Sequence, residues 1–160
     1  MGQECEIDSL IINKKQAKWI SSKIVESTTL LQENQRTSVK HDAYKLTLLY
    51  RQSRDGNIIE KFRALCINKG PTIAIGKVSD TEEIFGGYNP IAWGLKENYS
   101  INTKESFIFA LDRSIDKSIV SFVDHNSLYA TYDNNKYFPT FGNGHDLFFG
   151  NNKNPNPYAK

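Results

Sequence analysis

Helix-forming stretches occupy the first half of this 160-residue chain and strand-forming stretches the second. That order constrains the fold more than any other feature. Helices followed by strands favour an α+β arrangement with antiparallel sheets over an alternating fold with a parallel sheet. The length fits one domain. Apolar residues make up 39% and are spread along the chain, enough for one core, so general disorder is not expected.

Residues 13–25 read as the first helix. Asn13 with Gln16 three positions on makes a capping box, and Ala17, Ile20 and Ile24 share a face with Trp19 and Val25 beside it. The polar, mixed segment 27–42 predicts a loop, with Leu30 and Leu31 packing as a short turn. Residues 44–50 (Tyr-Lys-Leu-Thr-Leu-Leu-Tyr) predict a buried strand, broken by the polar stretch Arg51 to Gly56 with its Asp55-Gly56 turn signal. A second helix is expected over 58–69. Asn57 and Glu60 form its capping box, Ile58, Phe62 and Leu65 its apolar face, and Gly70-Pro71 its stop.

Beyond this point the chain reads as strands. Thr72 to Val78 and Glu83 to Tyr88 predict a hairpin around Ser79-Asp80, with Gly86-Gly87 marking a bulge or a close backbone approach. Ser106 to Leu111 is apolar on both faces and predicts a central strand. Ser118 to Val123 and Leu128 to Tyr132 predict a further hairpin, and Asp146 to Phe149 a last strand. The Asn- and Pro-rich residues 150–160 predict a disordered tail after a domain spanning 1–149.

The sequence carries no recognisable catalytic, cofactor-binding or metal set. The formal charge of +2, with acids and bases intermixed, gives no electrostatic reason to expect nucleic acid. Two cysteines, Cys5 and Cys66, are neither a disulfide framework nor a metal-type pair; a reducing, cytoplasmic setting is the simplest reading. Cys66, inside an apolar helix, reads as a small buried residue. No apolar run approaches the roughly 20 residues that span a bilayer, and no signal peptide is expected. Met1-Gly2 invites myristoylation, but Glu6 stands where Ser or Thr is wanted. An ordinary start is the simpler reading, although Cys5 offers a palmitoylation position.

Each histidine has an aspartate neighbour, in His41-Asp42, Asp124-His125 and His145-Asp146. No metal-motif spacing accompanies them, so polar loop residues are the expected role. Gly142-Asn143-Gly144 lacks the setting of a dinucleotide loop and reads as a turn. The Asn98-Tyr99-Ser100 sequon has no expected use in a cytosolic protein. In Arg51 to Gly56 an Arg-Asp pair is expected to tie the turn to neighbouring carbonyls, with a binding surface as the alternative.

Taken in order, these residues resemble the TLDc family. The resemblance runs through Leu48-Leu49-Tyr50-Arg51, Ser53-Arg54-Asp55-Gly56, Phe62 and Cys66 to Lys69. It continues through Thr72 to Ile75, Glu83-Ile84-Phe85-Gly86-Gly87-Tyr88-Asn89-Pro90, Trp93 and Glu105 to Phe109. It closes on Thr140-Phe141-Gly142, Gly144 and Asp146-Leu147. The form is most similar to the divergent versions of fungi and protists, which often carry a BTB domain upstream.

The resemblance implies two antiparallel sheets in a sandwich flanked by helices. It also implies a part in resistance to oxidative stress and, in several members, binding to the peripheral sector of the vacuolar proton-pumping ATPase. It supplies no catalytic residues. Gly86, Gly87 and Gly142 match family glycines and are expected to shape backbone. The family normally continues past the Gly-Asp-Leu strand with a further strand pair. The Asn-Pro ending here leads us to expect missing terminal strands, or a fragment, with an exposed edge. A non-enzymatic interaction module is therefore the leading expectation. The alternatives are a hydrolase or other enzyme of oxidative-damage defence, and an adaptor of the BTB-fused kind.

Overall fold

A computed structural model describes residues 7–29, 44–124, 126–142 and 145–150. Three helices come first: α1 (Lys14–Thr29), α2 (Gln52–Asp55) and α3 (Ile59–Cys66). Eight strands follow: β1 (Thr72–Lys77), β2 (Ile84–Asn89), β3 (Tyr99–Ile101), β4 (Phe107–Leu111), β5 (Ile119–Phe122), β6 (Thr131–Asp133), β7 (Thr140–Phe141) and β8 (Leu147–Phe148). They form two four-stranded antiparallel sheets, ordered β1-β2-β4-β5 and β3-β6-β7-β8. The fold is α+β, as the element order predicts.

Helix α1 starts where its capping box places it. The Gln16 amide donates to Asn13 Oδ1 at 2.9 Å and the Asn13 amide to Gln16 Oε1 at 3.0 Å. The two orphan donors are thus satisfied reciprocally. The helix runs on to Thr29, where a loop was expected from residue 27. There the Ser27 and Thr28 hydroxyls donate to Ile24 O and that of Thr29 to Val25 O, so these polar side chains bond back to the helix instead of competing with it. Leu30 and Leu31 lie outside the described residues.

The buried face of α1, Ala17, Ile20 and Ile24, packs on one face of the first sheet, on Ile84, Tyr88, Phe107, Phe109 and Leu111. Strand β4 is interior in that sheet, as expected. The β1–β2 hairpin forms in continuous register from Thr72↔Asn89 to Lys77↔Ile84. Gly86-Gly87 therefore makes no bulge; it permits close approach. A Cβ on Gly87 would sit 2.6 Å from Phe141 Cζ of the second sheet, and one on Gly86 would meet the Phe109 ring and the Ala74 carbonyl. The second sheet thus lies against the face of β2 opposite α1, with Phe141 on Gly87 and Phe149 stacked on Phe85 at 5.4 Å.

Four local expectations are corrected. Among the described residues, 44–50 form no ladder beyond a single parallel bridge of Leu46 to Ile7, and Tyr44 and Thr47 are exposed. A strand exists only where a neighbour supplies hydrogen bonds. At α3, Ile58 is the capping residue without a side-chain bond, so the Asn57–Glu60 box does not form. Ile58 is 51% exposed, and the buried pair is Phe62 and Cys66.

That helix also stops at Cys66 rather than 69. Ile67 turns extended to bridge Trp93, and the Asn68 amide donates to Trp93 O at 3.0 Å; this tertiary pairing replaces the last helical turn. Finally, residues 118–123 and 128–132 are not a hairpin. β5 joins β4, whereas β6 enters the second sheet between β3 and β7. The amide of Ala130 donates to Ile101 O and its carbonyl accepts from Gly142, which draws the segment across. Strands β3 and β7, three and two residues long, were too short to read from the sequence.

Candidate functional site

The motif residues fall into three places. Around Arg51 to Gly56, a single helical turn is locked by its own side chains. Asp55 Oδ2 accepts from the Arg51 amide at 2.8 Å, and the Arg54 guanidinium donates to both Asp55 oxygens at 2.9 and 2.8 Å. Arg54 Nη2 also donates to Leu49 O at 3.1 Å. This is the expected tie between an Arg-Asp pair and a carbonyl. Gly56 takes φ 83°, a left-handed value that favours glycine, and its carbonyl accepts from the Tyr50 hydroxyl at 2.5 Å. Tyr50 in turn packs with Phe62 and Phe138. Ser53 and Gln52 are exposed on the turn.

The Arg54 guanidinium, with help from the Arg51 amide, holds the Asp55 carboxyl down at about 2. A depressed folded-state value means stability that is present above the ordinary carboxylate range and lost as pH falls toward the folded value. The melting temperature is therefore expected to drop between about pH 4 and pH 2, and Asp55→Asn to flatten that part of the profile. A thermal melt series checks this, and an unchanged slope in the variant would refute the lock.

The second place is buried. Asn89 is fully inaccessible and its Oδ1 accepts from the Ile91 amide at 3.0 Å, folding the chain around Pro90. Tyr88 is buried beside Phe107, and burial pushes its phenol up to about 12, with Tyr44 and Glu105 adding to the shift. Its carbonyl accepts from the buried Ser106 hydroxyl at 2.7 Å. Trp93, 4% exposed, donates from Nε1 to Thr72 Oγ1 at 2.9 Å and sets its ring edge-on to Phe141. It thereby joins the segment after α3, the start of β1 and the second sheet.

The third place is the β7–β8 turn. Gly142 takes φ 80° and the Asp146 carboxyl lies where its Cβ would be. Gly144 lies outside the described residues. His145 takes φ 58°, stacks on Phe148 and lies tilted against Tyr132, with Tyr137 edge-on.

A groove of about 270 Å³ is lined by Leu10 to Asn13, Gln16, Glu82, Ile84 and Arg113, and includes none of the motif residues. Among the described residues no group of three or more His, Cys, Asp or Glu side chains is arranged to hold a metal ion. His41, Asp42 and His125 lie outside those residues, as do Gly2, Cys5 and Glu6. Cys66 is buried, and burial, reinforced by Asp55, pushes its thiol up to about 11. At neutral pH it is a protonated thiol rather than a nucleophilic thiolate. No helix among the described residues is long and apolar enough to cross a membrane.

Sequence reading missed one buried polar junction. Asp133, 2% exposed, accepts from the Gly94 amide at 2.5 Å and faces Arg63 Nη1 at 3.6 Å. Arg63 Nη1 also donates to Asn134 O at 3.0 Å. Helix α3, the turn after Trp93 and strand β6 meet there. No local signal marks Asp133, because its partners come from distant segments.

Among curated proteins none matches the chain. The family model of the TLDc domain matches residues 11–156. That stretch contains α1, both sheets and all three places where the motif residues gather, so the chain belongs to the TLDc domain family.

Proposed function

We propose that this domain is a non-catalytic protein-interaction module of the cytoplasm that serves resistance to oxidative stress, with the peripheral sector of the vacuolar proton-pumping ATPase as its partner. One observation carries the non-catalytic part. Three polar motif side chains bond within the fold itself: Asp55 accepts from the Arg51 amide and Arg54, Asn89 Oδ1 accepts from the Ile91 amide, and Trp93 donates to Thr72. Asn89 Nδ2 and Arg51 Nε are buried without a partner among the described residues. Catalysis needs polar groups that converge on a space where a substrate can sit. Family membership supports the stress-resistance and partner parts.

The direct test is binding of the purified chain to immobilised peripheral sector, with a TLDc protein that binds the pump run alongside. Saturable binding is expected. No binding while that control binds would rule out this partner.

A further inference from the structure

Strands β1 and β5 are the two edges of the first sheet, and among the described residues no strand pairs with the outer edge of β5. The amide of Val123 donates to Ser106 O, and the register Ile108↔Ser121 and Ala110↔Ile119 continues that alternation. Residues 119, 121 and 123 therefore bond toward β4, and the amides and carbonyls of Val120 and Phe122 point to the free side.

Natural sheets usually guard such an edge with lysine, proline, a bulge or an inward charge. The segment Ser118 to Val123 has no charge, proline or glycine. Ile119 is 67% exposed on the face away from α1, whereas Val120 and Phe122 pack into the α1 core.

We propose that this edge pairs with the same edge of a second copy of the chain, antiparallel about a two-fold axis at Ser121. The register is self-complementary. Val120 of each copy opposes Phe122 of the other, and their outward backbone groups form four hydrogen bonds. Ser121 opposes its own copy, and Ile119 covers Val123 across the seam, in the closely spaced non-hydrogen-bonded pairs where side chains touch best. Asp124 falls opposite Ser118, so no like charges are set against each other among these residues. Both copies keep α1 on the same side, which makes one eight-stranded sheet. A four-residue strand buries less than the roughly 800 Å² per partner of a stable interface, so the association is weak and concentration-dependent.

Sedimentation equilibrium of the full chain over rising concentration, with cysteine cross-linking, tests this. Wild type is expected to associate reversibly. Ile119→Lys/Ser121→Lys, which adds charge only at exposed positions, is expected to weaken association at least about tenfold while circular dichroism stays unchanged. In a Cys5→Ser background, Ser121→Cys is expected to form a disulfide-linked dimer on mild oxidation. Facing Cα atoms about 4.5 Å apart in such a pair suit the bond. Ile119→Cys, four strand positions from its own copy, is expected to stay unlinked. The proposal requires both results. A wild type that remains monomeric, a lysine variant that still dimerises, or cross-linking at 119 as efficient as at 121 would each overturn it.

Discussion

Phe141→Ala is expected to lower the stability of the domain by about 3–5 kcal/mol, the range for removing a buried phenylalanine ring. The ring is 1% exposed, stands on Gly87 of the first sheet and meets the edge of Trp93. It is thus a main contact by which the small second sheet holds the large first one. Strands of three, three, two and two residues have little hydrogen bonding of their own to fall back on. The cavity cannot close readily, because the glycine beneath has no side chain to fill it. Domains of this kind are stable by about 5–15 kcal/mol, so the loss is a large fraction of the total. Urea unfolding followed by circular dichroism measures it. A change below about 1 kcal/mol would mean that the sheets dock through other contacts.

The second large effect is expected at Asp133. Asp133→Ala removes the acceptor of the Gly94 amide and leaves Arg63, only 16% exposed at its side chain, facing a buried void. Breaking a buried pair from one side costs about 3–5 kcal/mol, since the remaining charge loses its compensation. The value here is expected near the lower end, because Arg63 keeps its bond to Asn134 O. Asp133→Asn, which can still accept from Gly94, is expected to lose less. Equal losses in the two variants would show that the bond from Gly94 contributes nothing beyond the carboxylate charge, and no loss in Asp133→Asn would show that the charge contributes nothing; the same unfolding experiment separates the cases.

The parts of this structure that could be read from sequence are those whose determinants are neighbours in the chain. Asn13 and Gln16 cap α1 from three residues apart, so the start of that helix was legible. The same holds for the β1–β2 hairpin and for the Arg54–Asp55 lock. The end of α3 was not legible, because Ile67 leaves the helix to bridge Trp93, a choice set by a residue far along the chain. The segments flanking residue 125 looked like a hairpin because two strand-forming runs around a turn look alike whether or not they pair. Ile101 and Gly142 decided otherwise by taking both backbone groups of Ala130. The site followed the same rule. The glycines and turn residues of the motif declared their shaping role locally, whereas Asp133 acquires its role only when Gly94 and Arg63 arrive.

The pairing of α1 with the first sheet bears on how the chain is made. The apolar face of Ala17, Ile20 and Ile24 finds its partners on β2 and β4, which begin at Ile84 and Phe107. During synthesis that face cannot complete its contacts until Leu111 has left the ribosome. Loop closure must then precede the contacts that reward it. The nascent domain therefore spends much of its translation with a helix face only partly covered, a segment on which chaperones of the holding type can act.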